Sequence, residues 1–167
     1  PGFSFNFFDK EKETLRNACT EVTSEDDSDV CNLGSINMGR IDNLAEFSNV
    51  VELATKFLLC GTLRAKLPYQ KVYDVREKNR RLGLGLMGIH EWLIKAGQKY
   101  EVTEGLHKWL SVYKGISDNT SAKFADHLNV SRPVANRAIA PTGSIGILAG
   151  TSTVIEPIFA VAYKPRY

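Results

Sequence analysis

A segment near the start of the chain, residues 17–40, carries side chains whose types and spacing could do chemistry on a hydroxylated substrate. An amide, a thiol and a carboxylate occupy alternate positions at Asn17, Cys19 and Glu21, and a second thiol follows at Cys31. Side chains at i, i+2 and i+4 of an extended or loop backbone point to the same side. The three groups could therefore form a reactive sulfur centre, take a proton from a hydroxyl group and hold that hydroxyl by hydrogen bonds.

The cysteine usage indicates thiol chemistry and a reducing compartment. The chain has three cysteines, an odd number, and its start shows no secretion signal. Cys60 lies in the apolar run LATKFLLCGTL and is predicted to be a buried core thiol, whereas Cys19 and Cys31 stand beside polar, turn-forming residues and are predicted to stay accessible. A zinc site is disfavoured, because the eleven-residue gap between these two cysteines fits no common ligand spacing.

A second informative segment lies in the last third of the chain. Residues 138–140 can form a short strand that ends at Pro141, and Thr142, Gly143 and Ser144 then form a polar turn leading into a helix. Backbone N–H groups at such a turn are unpaired and could hold a phosphate. Since a turn of this composition is more often simply a turn, phosphate binding stays one of two open interpretations.

Helices are predicted to dominate the middle of the chain. Asn43 and Glu46 form a plausible capping box, and apolar residues follow at helical spacing, which predicts a helix over residues 43–63. Further helices are predicted over residues 72–79, over the stretch that stops at Gly97, and from Thr103 to about Asn129.

Three glycines, Gly83, Gly85 and Gly88, match the spacing of the dinucleotide-binding fingerprint. That fingerprint requires a preceding apolar strand, and the residues that precede these glycines are charged. We therefore predict that the glycines let a helix pack closely against its neighbours.

Composition excludes several classes of function. With 167 residues, 43% hydrophobic and 24% charged residues and a net charge of +2, the chain is predicted to be one soluble domain without a membrane span or a nucleic-acid surface.

The basic run at residues 78–81 is predicted to be a solvated helix end. The three histidines do not converge, and a Ser/His/Asp hydrolase lacks its nucleophile elbow. The absence of an initiator methionine suggests a piece of something longer.

Four segments, taken in order, resemble the catalytic (large) subunit of ribonucleotide reductase, most closely the adenosylcobalamin-dependent class II type. They read NACTEV, VCNLGSIN, RRLGLGLMGIHEWLIKAG and APTGSIGILAGTSTVIEPIFAVAY. The resemblance implies an α/β fold, a helix-rich part of the family's ten-stranded α/β barrel. Residues 1–167 would be a single partial catalytic-barrel domain, with the active-site cysteine loop at 1–40, a helical region at 41–130, and the phosphate-binding loop and final strand at 131–167.

The resemblance also implies a role for each matching residue. Cys19 matches the cysteine that becomes a thiyl radical and removes the ribose C3′ hydrogen, Glu21 the carboxylate that accepts the 3′-hydroxyl proton, and Asn17 the amide that hydrogen-bonds the same region. Cys31 matches one member of the reducing cysteine pair. The turn that binds the substrate phosphates matches Pro141, Thr142, Gly143, Ser144 and Ile145. No metal ligand is predicted.

Cofactor and partners follow from the resemblance as well. It implies adenosylcobalamin, a cobalt cofactor, together with a thioredoxin-like dithiol reductant, a ribonucleotide substrate and deoxyribonucleotide synthesis for DNA replication in the cytoplasm. The second cysteine of the reducing pair is expected upstream, yet no cysteine precedes Asn17. We therefore expect a partial subunit, inactive alone, that associates with its missing remainder, a complementary split chain or itself. A non-catalytic nucleotide-phosphate-binding or assembly module stays open as the alternative.

Overall fold

The computed structural model of the chain describes residues 14–158 and 160. The first thirteen residues and the predicted final strand lie outside this part of the chain. The elements in chain order are β1 Leu15–Arg16, β2 Thr23–Ser24, β3 Asn32–Asn37, a 3-10 turn Met38–Arg40, α1 Leu44–Arg64, α2 Gln70–Asn79, β4 Leu82–Met87, α3 Ile89–Lys95, α4 Glu104–His127 and α5 Gly143–Ala149.

The central pair of strands is parallel. β3 pairs with β4 in a continuous register from Asn32↔Leu82 to Asn37↔Met87. Since parallel neighbours need a long crossover connection, the chain runs through α1 and α2 before it returns as β4. Along the far edge of β4, the segment at residues 135–138 adds backbone hydrogen bonds, including Leu82 N–H to the Ala135 carbonyl at 2.9 Å.

The two faces of β4 differ in composition. Leu82, Leu84 and Leu86 are each 1% exposed and join the hydrophobic core with residues of α1 and α4. The opposite face carries Gly83 and Gly85, because successive side chains of a strand alternate between its two sides. The leucine face therefore holds the helices, and the glycine face lets other segments approach the backbone.

Helix α1 begins and packs as its sequence predicts. The Asn43 side chain accepts a 2.9 Å hydrogen bond from the Glu46 N–H, which caps the first turn. The Glu46 carboxylate in turn accepts from the Asp42 N–H at 3.1 Å. The buried face of the helix consists of Phe47, Val51, Thr55, Leu58, Leu59 and Thr62.

The other predicted helices are confirmed as α2, α3 and α4. Helix α3 stops before Gly97, which has a φ of +67°, and Thr103 caps α4 by accepting from the Leu106 N–H at 3.1 Å. The strand predicted at residues 138–140 does not form; the residue before this segment, Arg137, makes one isolated parallel bridge to Leu84. The predicted turn into a helix is present as the start of α5.

Two sequence predictions were wrong, one about Gly83 and Gly85 and one about Cys60. Gly83 and Gly85 lie in a strand, not in a closely packed helix, and Gly88 stands at the start of α3 with a φ of +71°. Cys60 is exposed, because the helical phase that buries Leu58 and Leu59 turns the next position to solvent.

The basic run at residues 78–81 is solvated only at Lys78, whose side chain is 59% exposed. Arg80 and Arg81 are 2% and 7% exposed, and Asn79 is equally buried. Several of their partners lie far away in the sequence: Asp29 accepts from Asn79 and Arg81, and Ser131 accepts from Arg80. Within residues 14–158 and 160, no helix has both the length and the apolar composition needed to cross a membrane.

Candidate active site

A small hairpin presents the predicted site residues. Strands β1 and β2 are antiparallel, with Leu15 opposite Ser24. The loop between them is closed by Asn17, whose N–H donates to the Val22 carbonyl at 3.2 Å while its Oδ1 accepts from the Val22 N–H at 3.1 Å. Since Oδ1 is engaged in this way, the amide NH₂ of Asn17 keeps its donor capacity for another group.

Cys19 lies in the turn of this loop. Its side chain is exposed, and the next residue, Thr20, has a φ of +66° and donates its N–H to the Asn17 carbonyl at 3.0 Å. The backbone at these positions is therefore a tight turn, the loop and not the extended form of the two that the sequence left open. Cys19 lies two residues before Glu21 and does not itself line the cavity to which Glu21 contributes.

Glu21 and Cys31 line one cavity of about 240 Å³. They approach it from different segments, the hairpin loop and the approach to β3. The cavity walls are completed by Val22, Thr23, Arg81, Leu82, Ala135, Arg137 and Ala138. Cys19 and the Thr-Gly-Ser turn are not part of this lining, so the structure brings together two of the predicted catalytic residues.

The Glu21 carboxylate has an unused oxygen. Its Oε2 atom is buried and has no hydrogen-bond partner among the described residues. Buried polar atoms are nearly always paired, and an unpaired one destabilises the folded state by about 1–3 kcal/mol. An acceptor left open beside a cavity is suited to receive a hydroxyl group of a bound molecule.

The Cys31 thiol is held in its protonated form. Burial raises its pKa to about 12, with Asp29 and Glu21 adding to the increase and Arg81 opposing it. The sulfur also lies close to the glycine face of β4, since a Cβ atom on Gly83 would come within 2.9 Å of it. The glycine therefore makes room for a thiol that carries its hydrogen at neutral pH.

Both arginines of the cavity are paired with carboxylates. The Arg81 Nε atom donates to Asp29 Oδ2 at 2.9 Å. Arg137 donates to the Asp118 carboxylate and, at 2.7 Å, to Ser117 Oγ. Burial alone raises the pKa of Asp118, but hydrogen bonds outweigh it and lower the pKa to about 2; their donors are Arg137, Asn136 and Lys114.

The predicted phosphate-binding turn forms the start of α5. Thr142 is buried, has a φ of +49°, and accepts from the Val154 N–H at 2.7 Å. Its side chain does not cap the helix, so the first N–H groups of α5 receive no acceptor from it. Pro141, Gly143, Ser144 and Ile145 are exposed. Since Ala138 lines the cavity and four residues of chain span at most about 14 Å, Thr142 lies within that distance of it.

A carboxylate that sequence reasoning missed fixes the loop after α5. Glu91 accepts from the Ser152 N–H at 2.8 Å and from the Thr151 hydroxyl. The Thr151 hydroxyl also lies 3.1 Å from Asn37 Oδ1 at the end of β3. These contacts tie the loop to the carboxyl ends of β3 and β4. The position of Glu91 in the first turn of α3 was visible in the sequence, but its partners were not.

The remaining predicted or excluded groups lie elsewhere. His90 accepts from the Ile158 N–H at 2.6 Å through Nδ1 and contacts the Tyr100 ring, which is a structural role. Across residues 14–158 and 160, no three His, Cys, Asp or Glu side chains converge as metal ligands would.

Comparisons with known proteins point to one family. The family model described as "Ribonucleotide reductase, barrel domain" matches residues 6–127. A Thermoplasma acidophilum protein named vitamin B12-dependent ribonucleoside-diphosphate reductase is 33% identical over 157 residues, covering 80% of this chain and 20% of that protein. Its namesake in Mycobacterium tuberculosis strain CDC 1551 is 29% identical over 155 residues, covering 80% of this chain and 22% of that protein. The chain thus spans about a fifth of the length of these curated relatives.

A solved structure shares the fold. The crystal structure of a B12-dependent (class II) ribonucleotide reductase superposes with a TM-score of 0.75 and 17% identity, over 85% of this chain and 22% of that one. The predicted α/β fold, a helix-rich part of the reductase barrel, is confirmed. The match of the family model over more than two thirds of the residues shows that this chain belongs to the ribonucleotide reductase barrel-domain family.

Proposed function

We propose that this chain is the catalytic part of a ribonucleotide reductase, which converts ribonucleotides to deoxyribonucleotides for DNA synthesis once it is joined to the rest of the subunit. The observation that carries the proposal is the open Oε2 atom of Glu21 beside the Cys31 thiol in one cavity. A base with a free acceptor and a protonated thiol are two of the groups that this reaction requires.

In the proposed reaction, a thiyl radical at Cys19 removes the hydrogen from C3′ of the ribose. Glu21 accepts the 3′-hydroxyl proton through its open oxygen, and the amide NH₂ of Asn17 holds the same hydroxyl. The 2′-hydroxyl leaves as water as Cys31 and a second cysteine outside this chain supply two electrons and become a disulfide. Cys19 then returns its hydrogen to C3′, so the net change is ribonucleotide plus dithiol to deoxyribonucleotide, disulfide and water.

The exposure of Cys19 supports the proposal that the chain is inactive alone. A sulfur radical needs a site that excludes water and competing hydrogen donors, and here the side chain is open to solvent. The surfaces that would cover it must come from the remainder of the subunit.

An exposed apolar face beside β3 also supports the proposal that this chain associates with another polypeptide. A groove of about 450 Å³ lies between β3 and α1, and Leu53 and Phe57 on its rim are 69% and 74% exposed. In the described residues β3 pairs with β4 alone, which leaves its second edge available for another strand. We propose that the missing part of the barrel, a complementary split chain or a second copy covers this face.

We propose that the substrate phosphates bind at the start of α5. The uncapped N–H groups of the first turn, the exposed Ser144 and the short chain distance from the cavity support this assignment. The names of the relatives differ in phosphate number: a Mycobacterium phage D29 relative is named as a candidate triphosphate reductase, and the Thermoplasma relative as a diphosphate reductase. We propose the diphosphate as the substrate of this chain.

We propose adenosylcobalamin as the cofactor and a thioredoxin-like dithiol as the reductant, with the cytoplasm as the compartment. The names of the B12-dependent relatives support the cofactor; when bound, it supplies the radical that Cys19 receives. The cavity of about 240 Å³ beside Glu21 is below the usual range of about 300–1,000 Å³ for drug-sized ligands, so it does not fit a corrinoid. We assign no described residue to the cofactor.

The test is reconstitution. The chain is joined to the upstream and downstream parts of a B12-dependent subunit, and deoxyribonucleotide is measured after adding adenosylcobalamin, ribonucleoside diphosphate and a dithiol. Cys19→Ser should abolish the product. Cys60→Ser, which changes an exposed thiol that does not line the cavity, should retain it and serves as the matched control.

A non-catalytic nucleotide-binding or assembly module is the second candidate. It is favoured by one observation, that Cys19 is exposed and does not line the cavity that Glu21 and Cys31 share. Nucleotide binding without any deoxyribonucleotide, in a complex shown to be fully assembled, would establish this alternative and refute the reductase.

A further inference from the structure

We propose that the buried ion pair between Asp29 and Arg81 is a positioning device that sets the Glu21 carboxylate against the Cys31 thiol. The proposal rests on the proposed function, since it assigns the geometry of the same cavity. Neither residue was singled out as functional by the sequence.

The carboxylate of Asp29 is a hub of hydrogen bonds. Its Oδ2 atom accepts from Ser24 Oγ at 2.7 Å, Asn79 Nδ2 at 3.0 Å and Arg81 Nε at 2.9 Å. Its Oδ1 atom accepts from the Val30 N–H at 2.8 Å. The Asp29 and Arg81 side chains are 1% and 8% exposed, so the pair is desolvated and geometrically defined.

The hub joins the three segments that carry the cavity. Ser24 belongs to β2, three residues after Glu21. Asp29 precedes Cys31 by two residues, and Arg81 stands directly before β4 while also lining the cavity. The Asp29 carboxylate thereby links the segment that carries Glu21, the segment that carries Cys31 and the start of β4 beside the cavity.

The hairpin needs such an anchor. Strands β1 and β2 have two residues each, and an isolated hairpin is marginally stable even when longer. A second contact layer supports the anchor, because Asp26 accepts from Lys78 Nζ and from Asn79 Nδ2, both at 2.9 Å. Without these contacts, the loop that carries Glu21 would be held to α2 and β4 mainly by the covalent chain on either side of it.

Stability alone is a poor explanation for the pair. Replacing a buried ion pair by well-packed apolar residues is often neutral or stabilising, because desolvation offsets the attraction between the charges. What a multiply hydrogen-bonded pair supplies is a fixed arrangement of its neighbours. Displacing a reacting group by about 1 Å can reduce a rate by about a hundredfold.

The first measurement is steady-state kinetics on the assembled reductase that contains this chain. Asp29→Asn should lower kcat about tenfold or more and leave KM for the ribonucleotide within about twofold, since the pair does not touch the phosphate turn. The matched control is Asp126→Asn, which removes the same charge from the exposed Asp126–Arg132 pair and should leave kcat unchanged.

The second measurement is the alkylation rate of Cys31, followed by peptide mass spectrometry, with Cys60 as the internal reference. Removing the positive charge of Arg81 should by electrostatics alone slow the reaction, because Arg81 lowers the pKa of Cys31. A positioning role requires the opposite: Arg81→Gln should loosen the hub, hydrate the thiol and speed its alkylation about tenfold or more. Ser24→Ala removes one hydrogen bond to Asp29 without changing any charge. It should increase the alkylation rate of Cys31 by a smaller factor, and it serves as a control in case the variants that lose a charge misfold.

The outcomes separate the two proposals. Unchanged kcat in Asp29→Asn, or a loss that only matches the unfolded fraction measured by circular dichroism, would overturn the positioning role. So would slower alkylation of Cys31 in Arg81→Gln with no change in Ser24→Ala. If the unsubstituted assembly makes no deoxyribonucleotide, the proposed function fails, and the alkylation rates alone decide whether the pair positions the thiol.

Discussion

Gly85 is the position where one added methyl group should have the clearest effect on this structure. A Cβ atom there would lie 2.6 Å from the Ala138 carbonyl oxygen and 3.2 Å from Ser35 Oγ. The nearer atom is backbone and cannot rotate away, so Gly85→Ala must displace the segment at residues 135–138 from β4. That segment forms one wall of the cavity.

The magnitude follows from two opposing contributions. Overpacking of this kind destabilises by about 1–3 kcal/mol, and the reduced freedom of alanine in the unfolded chain offsets about 0.4–1 kcal/mol of that. A net loss of about 1–2 kcal/mol corresponds to a fall in Tm of about 3–6 °C for a chain of this length. The same substitution at Gly115, an exposed helical position with no atom within 4 Å of the added Cβ, should stabilise by about 1 kcal/mol.

Urea unfolding monitored by circular dichroism measures both variants. Amide hydrogen exchange adds a local readout, because the Ala138 N–H donates to the Leu84 carbonyl at 3.1 Å and should exchange faster in Gly85→Ala. The reasoning is refuted if Gly85→Ala is as stable as the unsubstituted chain and Gly115→Ala shows its expected gain.

The further predictions concern three single groups, Asn43, Cys31 and Asp118. Asn43→Ala removes the acceptor of the Glu46 N–H and should lower the free energy of unfolding by about 1 kcal/mol, seen as a lower urea midpoint with an unchanged slope. Iodoacetamide should modify Cys31 far more slowly than Cys60 at pH 8. Because burial raises the pKa of Cys31 from 9.0 to about 12, the unfolded chain loses this proton first, and stability should fall as pH rises from about 9 to 12. Asp118, whose pKa is lowered to about 2, should contribute stability above pH 4 that disappears as pH falls toward 2; Asp118→Asn should flatten that part of an acid-unfolding curve.

The helices could be predicted because their signals are local. The Asn43 cap, the Gly97 stop and the Thr103 cap each act within one turn, so neighbouring residues in the sequence specify them. Strand β4 was missed because glycine is rare in strands and masked the pattern. The alternation of leucine and glycine over residues 82–87 has the period of two that would have revealed it.

The site was only partly predictable for a different reason. The motifs identified Glu21 and Cys31, which share a cavity, but not the residues that bring them together. Asp29 and Arg81 are separated by 52 positions, and a basic residue near a helix end looks the same in sequence whether it is buried or solvated. Such pairings depend on the crossover between β3 and β4, which one sequence does not reveal. Cys60 was misplaced because its apolar neighbours concealed the helical phase.

Because the two faces of β4 differ so much in side-chain size, the strand cannot tolerate a shift of its register by one residue. Insertion or deletion of one residue within 82–87 would exchange the two faces, moving bulky side chains toward the cavity beside Glu21 and Cys31 and leaving voids beneath the helices. The packing of the helices and the shape of the cavity would then be lost together. Length variation among natural versions of this protein should therefore be confined to the connections on either side of the strand.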